Sequence, residues 1–93
     1  MEQIATFHTH FGALNFHRRL QRMGAESTMM PVPRKLSASC GTCVRFTHPF
    51  DANTMADEDL DQVYAHTPAG FRLLFRNEEW EKNLLENTVF RSK

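Results

Sequence analysis

The sequence predicts an α+β domain, a two-layer ferredoxin-like sandwich of order β-α-β-β-α-β. Its mostly antiparallel four-stranded sheet would carry two helices on one face and a short helix at the C-terminal end. Three observations predict it. Apolar residues recur at helical spacing at Ala13, Phe16, Leu20 and Met23. Residues 42–47 and 71–76 alternate as half-buried strands do. Punctuating residues such as Gly24, Gly41 and Gly70 separate these segments. The 93 residues suit one domain, divided into a core over 1–76 and a helical tail over 77–93.

Residues 2–7 read as the first strand. Thr9 offers a hydroxyl cap to a helix over 10–23. Leu14 joins that helix's apolar stripe, while Arg18, Arg19, Gln21 and Arg22 fill its other face. Those cations suit the negative end of the helix, and Gly24 suits a left-handed C-cap. Residues 27–32 read as a second strand. Pro31 and Pro33 cannot donate to a ladder, so the strand is short or at an edge. Residues 34–41 read as a loop, with Ser37, Ala38, Ser39 and Gly41 small and polar. In 42–47, Val44 and Phe46 share one face, and Cys43, Arg45 and Thr47 share the other.

Thr54 is read as the cap of a second helix, with Asp57, Glu58 and Asp59 at its positive end. Leu60, Val63 and Tyr64 form its stripe, and Thr67-Pro68-Ala69-Gly70 stops it. Residues 71–76 follow as the last strand. Asn77 caps a final helix in which Trp80 and Leu84 are four apart, and the chain frays from Asn87.

Composition narrows the function. Eleven basic residues balance eleven acidic ones, which removes the charge excess that nonspecific nucleic-acid or anionic-membrane binding requires. A charge near zero also lowers solubility around neutral pH and allows a homo-oligomer. There is no apolar run of membrane-spanning length and no secretory leader is visible, so a cytoplasmic protein is expected.

Both cysteines fall in Cys40-Gly41-Thr42-Cys43. In a reducing compartment such a pair is more often redox-active or metal-binding than a structural staple. The thiolate is the reactive form. A pKa of about 8.5 leaves about 3% of it at pH 7, whereas about 6.5 would give about 75%. Arg34, Lys35 and Arg45 are close in sequence and favour that shift. Cys40 lies in the small-residue loop and is the candidate nucleophile; Gly41 gives the chain freedom to turn after it. Cys43 begins a strand on its outer face and is placed to resolve.

Two other chemistries use the same pair. A zinc site would add two of His8, His10, His17, His48 and His66, but no second CxxC or close His pair completes a finger. A thiol-disulfide oxidoreductase of thioredoxin type needs the pair at a helix N-terminus, and the residues after Cys43 read as strand. No phosphate loop or nucleophile elbow is present.

Two segments carry a resemblance: Ala5-Thr6-Phe7-His8-Thr9-His10-Phe11-Gly12-Ala13, and Met30-Pro31-Val32-Pro33-Arg34-Lys35-Leu36-Ser37-Ala38-Ser39-Cys40-Gly41. Over about residues 3–47 the chain resembles a family of small bacterial selenium/sulfur carrier-like proteins. The resemblance implies a soft-chalcogen carrier rather than a turnover enzyme, with Cys40 as the acceptor thiol. Cys43 occupies a position that need not be cysteine in that family, and the chain from His48 onward is longer than in compact members. The expectation is a carrier or thiol relay in which Arg34 and Lys35 steady the persulfide on Cys40 and Cys43 releases it. Its partners would be sulfur or selenium donor and acceptor proteins, and no cofactor is expected. The alternatives remain a zinc-binding or purely structural interaction module and a small oxidoreductase.

Overall fold

The computed structural model describes residues 1–36, 38 and 40–78. In chain order the elements are β1 (Glu2–Phe7), α1 (His10–Arg22), β2 (Ser27–Pro31), β3 (Thr42–Phe46), α2 (Ala52–Met55), β4 (Leu60–Thr67) and β5 (Gly70–Arg76). The strands form one antiparallel sheet of order β2-β3-β1-β4-β5.

The first half follows the sequence closely. Thr9 is extended and its side chain accepts from the Gly12 N–H at 3.0 Å, which fixes where α1 begins. Gly24 has φ +76°, a left-handed value that a β-carbon disfavours, and closes the helix end. The apolar stripe buries Ala13, Phe16 and Leu20. Phe16 is the hub: its ring lies 5.2 Å from that of Phe7 and 5.3 Å from that of Phe46. Ala5, Val44, Met55, Leu60 and Val63 complete this core between α1 and the sheet.

The second half departs from expectation. Residues 60–67 form a strand, not a helix, so the sheet has five strands where four were expected. The predicted second helix shrinks to the single turn α2, capped by Asp51 rather than Thr54. The ferredoxin-like layout with two full helices is therefore replaced by a sheet backed by one long helix and one turn. The misleading signal was the three-residue spacing of Leu60 and Val63. The β1–β4 register shifts between Thr6 and Phe7, which pair with Gln62 and Leu60 and leave Asp61 as the extra residue. This bulge resets the alternation, so residues three apart both reach the core. Val63, Tyr64 and Thr67 are strand-favouring types. Thr67-Pro68-Ala69-Gly70, read as a helix stop, is the hairpin turn joining β4 to β5; Gly70 takes φ +122° and the Thr67 hydroxyl donates to its carbonyl at 3.1 Å.

The acidic run is also reassigned. Asp57 accepts from the N–H groups of Asp59 and Leu60 at 3.0 and 3.1 Å, forming a turn that launches β4. Asn77 does not stand alone as a helix cap: its amide donates to the carbonyls of Asp57 and Leu60 at 3.1 and 2.8 Å. The helix expected around Trp80 and Leu84 and the fraying expected from Asn87 lie outside the described residues, as does most of the 77–93 tail.

Candidate functional site

Antiparallel pairing puts the end of β1 beside the start of β3, with Thr6 opposite Cys43. The chain leaves β1, and Thr9 starts α1 two residues later. The first turn of α1 and the start of β3 therefore share one end of the sheet. There the Nδ1 of His10, the first residue of α1, lies 3.2 Å from the Thr42 hydroxyl, the first residue of β3. The backbone N–H of Thr42 in turn donates to the Cys40 sulfur at 3.4 Å. Cys40, half-buried, is thus tied through one threonine to the start of the long helix.

The loop that carries Cys40 is closed at its base. The Val32 N–H donates to the Gly41 carbonyl at 3.0 Å, and the Leu36 N–H to the Pro33 carbonyl at 3.0 Å. Arg34 and Lys35 sit exposed in the second of these turns. Gly41 is exposed, and a β-carbon built on it meets nothing within 4 Å. Its φ is not positive.

Strand alternation decides where Cys43 points. Val44 and Phe46 lie in the core under α1, so Cys43 points to the opposite face, the outer face of the sequence reading, but is fully buried there. Its sulfur donates to the Pro31 carbonyl at 3.7 Å. Burial pushes the Cys43 thiol up to about 11, and charge on Cys40 would push in the same direction. The pair that looks symmetric in sequence is one half-buried thiol and one packed thiol, both free.

Arg45 shares the far face with Cys43. It pairs with Glu2 at 3.4 Å, away from the face that carries Thr42 and His10. The same carboxylate accepts from His66 at 3.0 Å. That hydrogen bond, helped by Arg45, lowers the Glu2 pKa despite some opposing desolvation.

Among the described residues, no group of three or more His, Cys, Asp or Glu side chains comes together to hold a metal. Of the five histidines considered for zinc, His17 bonds Ser27 at 2.6 Å, His48 bonds the Pro49 carbonyl at 2.8 Å, and His8 faces Asp61 at 3.7 Å. Only the folded topology singles out His10: in sequence it is 32 residues from Thr42. The readable part was Thr9 as a cap, which sets His10 at a helix start. The register that brings β3 to that point carries no local signature. Among the described residues no helix is long and apolar enough to cross a membrane.

Comparison with known proteins gives one finding. The model of the family described as "Putative Se/S carrier protein-like" matches residues 2–58, from the first strand through the loop that precedes β4. No curated protein and no solved structure matches the chain.

Proposed function

Since this chain belongs to the Se/S carrier-like family, matched over more than half its length, we propose that it carries sulfane sulfur or selenium on Cys40 between a donor and an acceptor protein. The observation that carries the reading is the setting of Cys40: a half-buried sulfur that accepts the Thr42 N–H beside the start of α1. The Thr42 N–H gives the sulfur a donor, and α1 begins beside that threonine. The same donor suits a persulfide anion.

The transfer balances without an oxidant. The Cys40 thiolate attacks the outer sulfur of a donor persulfide, R–S–SH. The donor S–S bond breaks, R–S⁻ leaves, and Cys40–S–SH forms. Delivery is the same displacement by an acceptor thiolate, which takes the outer sulfur and leaves Cys40 as its thiolate. With selenium, the donor is R–S–SeH and the bond broken is S–Se. Arg34 and Lys35, exposed in the turn that precedes the thiol, supply positive charge for the approaching donor or acceptor.

Cys43 takes no part in this version. A resolving thiol must be ionised and must reach the sulfur it attacks. Burial opposes the first of these, pushing the Cys43 thiol up to about 11. The protein thus works as a single-thiol carrier rather than an internal relay.

The test is mass spectrometry after incubation with a cysteine desulfurase and cysteine. The expected result is a mass gain of about 32 Da, one sulfur, that a reductant removes. Cys40→Ser should lose the adduct and Cys43→Ser should keep it. Full loading of Cys40→Ser would overturn the assignment.

A further inference from the structure

We propose that His10 is the positioning residue for Cys40, acting through Thr42 to make the reactivity of the thiol depend on imidazole protonation. The proposal deepens the carrier reading and rests on Cys40 being the acceptor thiol.

Thr42 has two polar handles, and both are in use. Its N–H holds the Cys40 sulfur at 3.4 Å and its hydroxyl meets His10 Nδ1 at 3.2 Å. Three segments are involved: the first turn of α1, the loop before β3, and β3 itself. His10 is exposed, so its packing adds little to the fold. What it contributes is the bond to Thr42.

That bond has two forms. A neutral imidazole in its Nε2–H tautomer accepts at Nδ1, and the Thr42 hydroxyl hydrogen is committed to it. A protonated imidazole must donate at Nδ1, so the threonine oxygen accepts and its hydrogen is released to another acceptor. Protonation also adds a positive charge to a helix end that has no acidic residue in its own first turn. Both changes favour an anionic sulfur on Cys40.

The other charged groups around this end are identifiable. Asp59 packs against Gly12 in the first turn of α1; a β-carbon built on Gly12 would lie 2.5 Å from the Asp59 Cβ. His8, just before the cap, faces Asp61. The loop supplies Arg34, Lys35 and Cys40 itself, while Cys43, next after Thr42, points to the far face. Asp59 and Asp61 oppose an anion at this end. A cationic His10 offsets them.

The experiment is site-resolved alkylation of Cys40 with iodoacetamide from pH 5 to pH 9, in the full chain. The wild type is expected to show a step between pH 5 and 8, where imidazoles titrate, on top of the thiol's own curve. His10→Gln should remove that step and slow alkylation at pH 6 on the order of three- to tenfold. Thr42→Val should shrink it, and Thr42→Ser, which keeps the hydroxyl, should restore it. A His10→Gln profile that superimposes on the wild type overturns the proposal, as does a step that Thr42→Val leaves at full size. Sulfur loading of the wild type separates the two readings. Absence of loading rejects the carrier assignment and leaves the alkylation profile to decide whether His10 governs the thiol. Normal loading with an unchanged His10→Gln profile rejects His10 alone.

Discussion

At the scale of single residues, the two cysteines behave as different chemical groups. With its pKa near 11, Cys43 holds a thiolate fraction at pH 7 roughly a hundredfold or more below that of an ordinary thiol. Native protein should therefore take up one equivalent of iodoacetamide quickly, with Cys43 labelled only after unfolding; peptide mapping checks this. The same group links stability to alkaline pH. A thiol whose pKa rises on folding stabilises the native state fully below its unfolded value and loses that contribution as pH climbs toward the folded value. Urea unfolding at pH 8 and pH 10.5 should show wild type losing more stability over this interval than Cys43→Ala. Tyr64, raised chiefly by burial, shifts both proteins alike. Gly12 is a second residue whose identity is dictated by space. The Cβ of Gly12→Ala would lie 2.5 Å from the Asp59 Cβ, an overlap that should cost about 1–3 kcal/mol. Asp59→Gly in the same chain should recover part of that loss, measured by urea midpoint.

At the scale of elements, α1 was the most legible because its signals agree: a capping threonine, a helical stripe, basic residues in the last turn and a closing glycine. Thr9→Ala should lower stability by about 1 kcal/mol, and Thr9→Ser should restore most of it, by denaturant titration. The same substitution should loosen the segment that holds His10. β4 was illegible for a definite reason. Its bulge at Asp61 replaces the two-residue period by a three-residue step at one point, and a short window cannot tell that from a helix. The site followed the same division. The loop, Cys40 and the capped start of α1 could each be read locally. The Thr42 link between them could not, because it depends on which strands become neighbours.

At the scale of the whole molecule, one aromatic side chain joins the helix to two strands. Phe16 contacts Phe7 of β1 and Phe46 of β3 and is fully exposed to none of the solvent. Phe16→Ala should cost about 3–5 kcal/mol, a large share of the stability of a small domain. Circular dichroism at rising temperature should show a sharply lowered midpoint, while Phe16→Leu should be milder. Arg19 fastens the helix to the second half of the chain, donating to the Met55 carbonyl at 3.1 Å and facing Asp57 at 3.6 Å. The sheet order places β3 between β2 and β1, and the loop joining β2 to β3 brings Cys40 to the end of the sheet where α1 begins.

The 32-residue separation between His10 and Thr42 gives the thiol a second use, as a reporter of folding. Any event that detaches α1 from the sheet breaks the link to Cys40 even where the loop itself stays intact. Pulsed labelling of this one sulfur during refolding would therefore time the docking of α1 onto β3, and a chain that has not finished folding would present a thiol without its partner groups.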